Sequence, residues 1–164
     1  MMTIQEWFAM QYELDQYIEK EHGLQGEDLF EKKILALLVE VGELANETRC
    51  FKFWSKKPPS AHEDILEEFV DGVHFILSLG LDLGFSDREY SLVSQEANED
   101  LDRSFLKIYR LVNDFRQSKD AGDFEELFRQ YIILGQTLGF TLDEVQEAYK
   151  KKNEVNFKRQ QNGY

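Results

Sequence analysis

Ile34-Leu35-Ala36-Leu37-Leu38-Val39-Glu40-Val41-Gly42-Glu43-Leu44-Ala45 and Ile65-Leu66-Glu67-Glu68-Phe69-Val70-Asp71-Gly72-Val73-His74-Phe75-Ile76-Leu77 are strongly apolar stretches, each interrupted by acids three residues apart. Side chains at i and i+3 leave a helix on the same side. If both stretches are helical, Glu40 with Glu43 and Glu68 with Asp71 each form a two-pronged carboxylate. Apolar residues cover much of the circumference in both, and a helix apolar nearly all round belongs inside a bundle. Carboxylates facing each other from paired helices are a known way to build metal sites in bundle cores. Without cations such acids are costly, because unpaired carboxylates taken out of water are heavily penalised. The two stretches therefore predict an all-α bundle whose acids surround divalent metals. Gly42 would admit close approach of a helix or ligand, and Glu47 continues the face of Glu43 at i+4, within reach of an outer shell.

The ligand type narrows the ion. Oxygen-only donors favour Mg²⁺ or Mn²⁺, and Mg²⁺ commonly completes its shell with substrate phosphates. A di-iron centre would ask for Glu-x-x-His on two helices; only Asp71-Gly72-Val73-His74 approximates that pattern. Glu-x-x-Glu also decorates solvated helix faces, so a non-enzymatic acidic helical protein is an open alternative on these residues.

Outward from this centre the pattern stays helical. Thr3/Glu6, Ser60/Glu63, Ser86/Glu89 and Thr141/Glu144 have the spacing of capping boxes, and Asp28/Glu31 is a weaker version. The expected helices run from about Thr3 to Glu21, Asp28 to Arg49, Ala61 to Leu83, Tyr90 to Gln117, Phe124 to Leu138, and Leu142 into the C-terminus. Trp7, Met10, Leu14, Tyr17 and Ile18 form the apolar stripe of the first; Leu92, Val93, Ala97, Leu101, Phe105, Ile108 and Leu111 recur along the fourth. No strand-like alternation or internal repeat is evident.

A length of 164 residues with 42% apolar and 13% aromatic content fits one all-α domain, residues 1–164, with a real core. The formal charge of −13 argues against nonspecific binding to nucleic acid or anionic membrane. The start Met1-Met2-Thr3-Ile4-Gln5-Glu6 lacks signal-peptide features, no apolar run reaches membrane-spanning length, and Cys50 is the single cysteine. A reducing cytoplasm is the expected compartment.

Two basic regions stand out against this acidity. The connection Cys50-Phe51-Lys52-Phe53-Trp54-Ser55-Lys56-Lys57-Pro58-Pro59 mixes aromatic rings with lysines; such rings can stack on a base while ammonium groups meet phosphates, or the segment is a hydrophobic plug with solvated lysines. In the tail, Lys152, Asn156 and Arg159 share one helix face, two cations and an amide suited to a triphosphate.

With these motifs together, the chain resembles the dimeric, all-α dUTPases, relatives of the MazG-type nucleotide pyrophosphohydrolases. The resemblance rests on Glu40-x-x-Glu43, Phe51-Lys52-Phe53-Trp54, the run Glu67 to Phe75, and the tail Lys152-Asn153-x-x-Asn156-x-x-Arg159-Gln160-x-x-Gly163-Tyr164. Met10-Gln11-x-x-Leu14-Asp15 is similar to a family element in which asparagine is usual at position 15. The resemblance implies that Glu40, Glu43, Glu68 and Asp71 coordinate Mg²⁺ (Mn²⁺ possible) and that dUTP is converted to dUMP and pyrophosphate. It implies that Glu40 or Glu43 takes the proton of the attacking water. Lys152, Asn156 and Arg159, with Lys52 and Lys56 as further candidates, would bind the phosphates. Gln11, Trp54, His74 and Phe75 would shape the uracil and deoxyribose pocket, and the protein would be a homodimer. A MazG-like enzyme with the same cradle but another nucleotide preference, such as dCTP, is the alternative within this class.

Overall fold

Thr3 and Thr141 begin their helices by the same device. Each hydroxyl accepts from the backbone N–H of a glutamate three residues on, and that glutamate's carboxylate accepts from the threonine N–H. Both predicted boxes thus form, in a computed structural model that describes residues 1–92 and 100–164. Among these residues there are six helices: α1 (Ile4–Glu21), α2 (Phe30–Thr48), α3 (His62–Asp82), α4 (Leu101–Ser118), α5 (Ala121–Thr137) and α6 (Leu142–Gln161). None is long and apolar enough to cross a membrane. The all-α expectation holds.

The helix α3 is the hub. It packs against α1, α2, α5 and α6, while α2 also meets α4, and α4 pairs with α5. The ties Glu31–Arg116 at one end and Leu38–Tyr109 further along make α2 and α4 antiparallel. From Phe69 to Gly80 almost every residue of α3 except Asp71 and Phe75 is buried. A close neighbour there is Tyr131 of α5, whose ring stacks on Phe69 at 4.5 Å and whose hydroxyl donates to the Phe69 carbonyl at 2.7 Å. Gly72 makes this possible: a Cβ at that position would lie 2.6 Å from Tyr131 Cζ. Gly42 does the same for α4, since a Cβ there would meet the Tyr109 hydroxyl at 3.0 Å.

Several boundaries differ from the sequence expectation. Ser60 does not cap α3; its hydroxyl donates to the Glu47 carboxylate and its N–H to the Glu47 carbonyl, so Ala61 takes the cap position without a side-chain bond. Glu47 is thereby committed to holding the α2–α3 connection. Asp28 accepts from the Phe30 N–H, one residue short of a true box, and Leu29 becomes the cap. Ser86 and Glu89 start no helix. Tyr90 is drawn into the aromatic core against Phe8, Phe124 and Phe128, with its hydroxyl on the Phe85 carbonyl. Helix α4 begins instead at Leu101, where the Asp100 side chain accepts from the Arg103 N–H. Val93 and Ala97 lie outside the described residues. Helix α5 starts three residues early because Asp120 caps the Asp123 N–H at 2.8 Å.

The expectation that α2 is enclosed all round is also corrected. Its buried face is Phe30, Ile34, Leu37, Val41 and Leu44, whereas Leu35 is 64% and Val39 50% exposed. Among the described residues α2 packs chiefly on α3 and α4, with Leu35 and Val39 on a side left to solvent. Leu106 on neighbouring α4 is exposed as well, at 68%.

Candidate active site

The apolar stripes that seat α2 against α3 bring their acids face to face. Oxygens of Glu40, Glu68 and Asp71 all lie within 4.8 Å of one another. One oxygen of Glu40 and one of Glu68 are buried with no hydrogen-bond partner among the described residues. Burial raises the Glu40 carboxyl to about 8, with Asp71, Glu43 and Glu68 adding to the effect. Burial likewise lifts Glu68 to about 7, reinforced by Asp71 and Glu43. Asp71 is raised by burial but held back by Lys152. Glu43 lies beside Glu40 and Glu68 yet faces solvent, outside the three-acid group. Orphaned carboxylate oxygens in an all-oxygen set are what a hard divalent cation would satisfy, so these residues fit such an ion.

Helix α6 supplies the opposite charge. Lys152 Nζ lies 2.9 Å from Glu67 Oε1 and 3.1 Å from Asp71 Oδ1, its side chain only 11% exposed. Burial alone would lower its pKa, but the two carboxylates more than offset this and keep it protonated. Asn156 and Arg159 follow along the same face of α6. Ties that seat this helix on α1 and its flanks include Tyr17 against Phe157 at 5.4 Å, His22 with Gln160 at 2.8 Å, and a reciprocal pair between the Met2 backbone and Gln146.

Between the acids and α6 lies a cavity of about 200 Å³ lined in part by Gln11, Glu40, Asp71, His74, Phe75, Lys152, Asn156 and Arg159. All of these were singled out in the sequence. Lys52, Trp54 and Lys56 do not line it; Trp54 and Phe53 are exposed, their rings packing on each other at 5.1 Å, and Lys52 sits over the Phe51 ring. Glu43 and Glu68 are not part of its lining either, and stand on the far side of the acid group.

Sequence reading passed over Ser78 and Tyr149. Ser78 lines the cavity one turn beyond His74, and Tyr149 stacks on the His74 ring at 4.4 Å. Their positions, i+4 from His74 and i−3 from Lys152, were the available signal. His74 is 6% exposed, and burial pushes its pKa down to about 3 with help from Lys152, so its ring is neutral.

Paired acids from two core helices, a cationic helix face and a cleft between them would suit a polyanion with a small organic group attached. A family model described as dUTPase matches residues 3–164, and the chain belongs to that family. It is accordingly an enzyme that hydrolyses dUTP. No curated protein matches the chain.

Proposed function

We propose that this enzyme is a Mg²⁺-dependent dUTP diphosphatase, releasing dUMP and pyrophosphate, with Glu40, Glu43, Glu68 and Asp71 around the ion site. The observation that carries this is the pair of buried, unpartnered oxygens on Glu40 and Glu68 beside Asp71. Divalent ions bound there would supply positive charge to offset the charge developing on the phosphates. Lys152, Asn156 and Arg159 hold the phosphate chain at the cavity edge. Asp71 now uses Lys152 as its counter-charge, so the lysine is free to turn to phosphate once cations neutralise the acids. Of the two α2 glutamates, Glu43 is the one that solvent reaches, and we assign it the proton of the attacking water. Gln11, His74 and Phe75 enclose the deoxyuridine end of the cleft. Lys52, half-buried, with Trp54 and Lys56, exposed, at the head of the α2–α3 connection, act only if that connection folds over bound nucleotide.

The uncovered apolar side of α2 and α4, with Leu35, Val39 and Leu106 exposed, supports a homodimer through that face. Residues 1–164 act as one domain on a free nucleotide in the cytoplasm; the charge of −13 repels nucleic acid and anionic membrane alike. Pyrophosphate release, measured side by side for dUTP, dCTP, dTTP and dATP with and without chelator, tests the reading. The expected result is strong preference for dUTP and loss of activity in chelator; preference for dCTP would place the enzyme with a sister specificity.

A further inference from the structure

Beside the acids runs a chain of hydrogen bonds whose direction can be read from one end. Asp15 Oδ1 lies 2.9 Å from Gln11 Nε2, and Ser78 Oγ donates to Asp15 Oδ2 at 2.7 Å. A carboxylate only accepts, so the Gln11 amide must turn its NH₂ toward Asp15. Its carbonyl oxygen then faces the other way, 2.7 Å from His74 Nδ1 and 2.9 Å from the Tyr149 hydroxyl. A carbonyl oxygen also only accepts, which makes His74 Nδ1 the protonated nitrogen of a neutral ring. The remaining nitrogen, Nε2, carries a bare lone pair, is buried, and has no hydrogen-bond partner among the described residues. His74 lines the cavity, and a buried acceptor left unsatisfied there awaits a donor from whatever binds.

We propose that Asp15 is a positioning residue: by orienting Gln11 it locks His74 in the Nδ1–H form, so that Nε2 accepts a hydrogen bond from the bound nucleoside. The donor is either the sugar hydroxyl or the ring N–H, the two hydrogen-bond donors of deoxyuridine. This assignment rests on the cavity being the nucleoside pocket of the enzyme. Asparagine at position 15 could present either an oxygen or an NH₂ to Gln11, and so could not fix the direction of the chain. Burial, which raises the Asp15 carboxyl, is opposed by the Ser78 and Gln11 bonds and by the charge of Lys33.

The test is nitrogen NMR of His74 in the ¹⁵N-labelled enzyme, first without nucleotide. The expected signature is a protonated Nδ1 and a pyridine-type Nε2; a protonated Nε2 would overturn the proposal outright. Saturation with a nonhydrolysable α,β-imido dUTP should then move Nε2 toward a hydrogen-bonded shift. Its 2′,3′-dideoxy counterpart abolishes that movement if the sugar hydroxyl is the donor and preserves it if the ring N–H is. An Nε2 unmoved at saturation would overturn the acceptor role. If no uridine nucleotide binds, the nucleoside-pocket reading fails, while the free-enzyme spectrum still decides the direction of the chain. In Asp15→Leu the Nε2–H form should appear and KM for dUTP rise about tenfold, the worth of one hydrogen bond, with kcat changing less. An unchanged tautomer with unchanged KM in that variant would remove Asp15 from the role.

Discussion

Two clusters of polar groups lie side by side in the middle of this bundle, and they are built in opposite ways. The acids Glu40, Glu68 and Asp71 are brought together with too few partners, and two of their oxygens have none. Next to them on the α1 and α6 side of α3, Gln11, Asp15, Ser78 and Tyr149 are joined in one directed chain in which a single atom among the described residues, His74 Nε2, is left over. The first cluster is incomplete by charge and fits cations. The second is complete save for one hydrogen bond, and so is set to recognise rather than to react. Folding tolerates both because α3 is anchored on its other side by Phe69 and Tyr131.

The largest effect should come from neutralising the charged cluster. Glu68→Gln is expected to lower kcat/KM for dUTP by about 10³-fold, roughly 4 kcal/mol, while raising the melting temperature in chelator. A variant that lost activity and also lost stability would show that Glu68 serves the fold instead. Next, Lys152→Met should lower kcat/KM about 10²-fold, chiefly through KM, because a phosphate-holding cation has gone. Steady-state kinetics that put the loss on kcat alone would break that assignment.

The pH dependence distinguishes the clusters without any substitution. Glu40 and Glu68 are raised in the folded protein, to about 8 and about 7, above the ordinary glutamate value of 4.5. The folded state therefore binds protons more tightly than the unfolded chain, and stability falls as pH rises. In chelator the melting temperature should decline from about pH 5 to pH 8, and Mg²⁺ should flatten that decline. A flat profile in chelator would mean the acids are already compensated. The smallest effect belongs to the directed chain: Tyr149→Phe removes one of two donors to the Gln11 carbonyl, which costs about 1 kcal/mol. It should appear as a modest rise in KM with the pH profile of stability unchanged.

How much of this was legible follows from where each contact lies along the chain. The acids of α2 and α3 could be read because each pair sits one turn apart on an apolar helix, and the face of Lys152, Asn156 and Arg159 could be read for the same reason. The link from Gln11 to His74 joins residues 63 apart, and that from Gln11 to Tyr149 residues 138 apart, so no local spacing announces either. The false start of the fourth helix has a different cause. Ser86 and Glu89 carry the right letters, but Tyr90 is worth more in the aromatic core than as the first turn of a helix. The open side of α2 was missed because periodicity records which residues are apolar and not how many neighbours come to cover them.

The close seat of Tyr131 on Gly72 has a consequence for how such a chain can change over generations. On α3 the acids face Glu40 of α2, and between Asp71 and Val73 a single backbone position admits no side chain at all. A mutation on either side is paid for at once, either in chemistry or in packing. Away from the exposed Leu106 side of α4, the outer surfaces of α4 and α5 carry neither burden. Descendants of this sequence should drift fastest there, and their kinship should remain written in α2, α3 and α6 long after the rest has become unrecognisable.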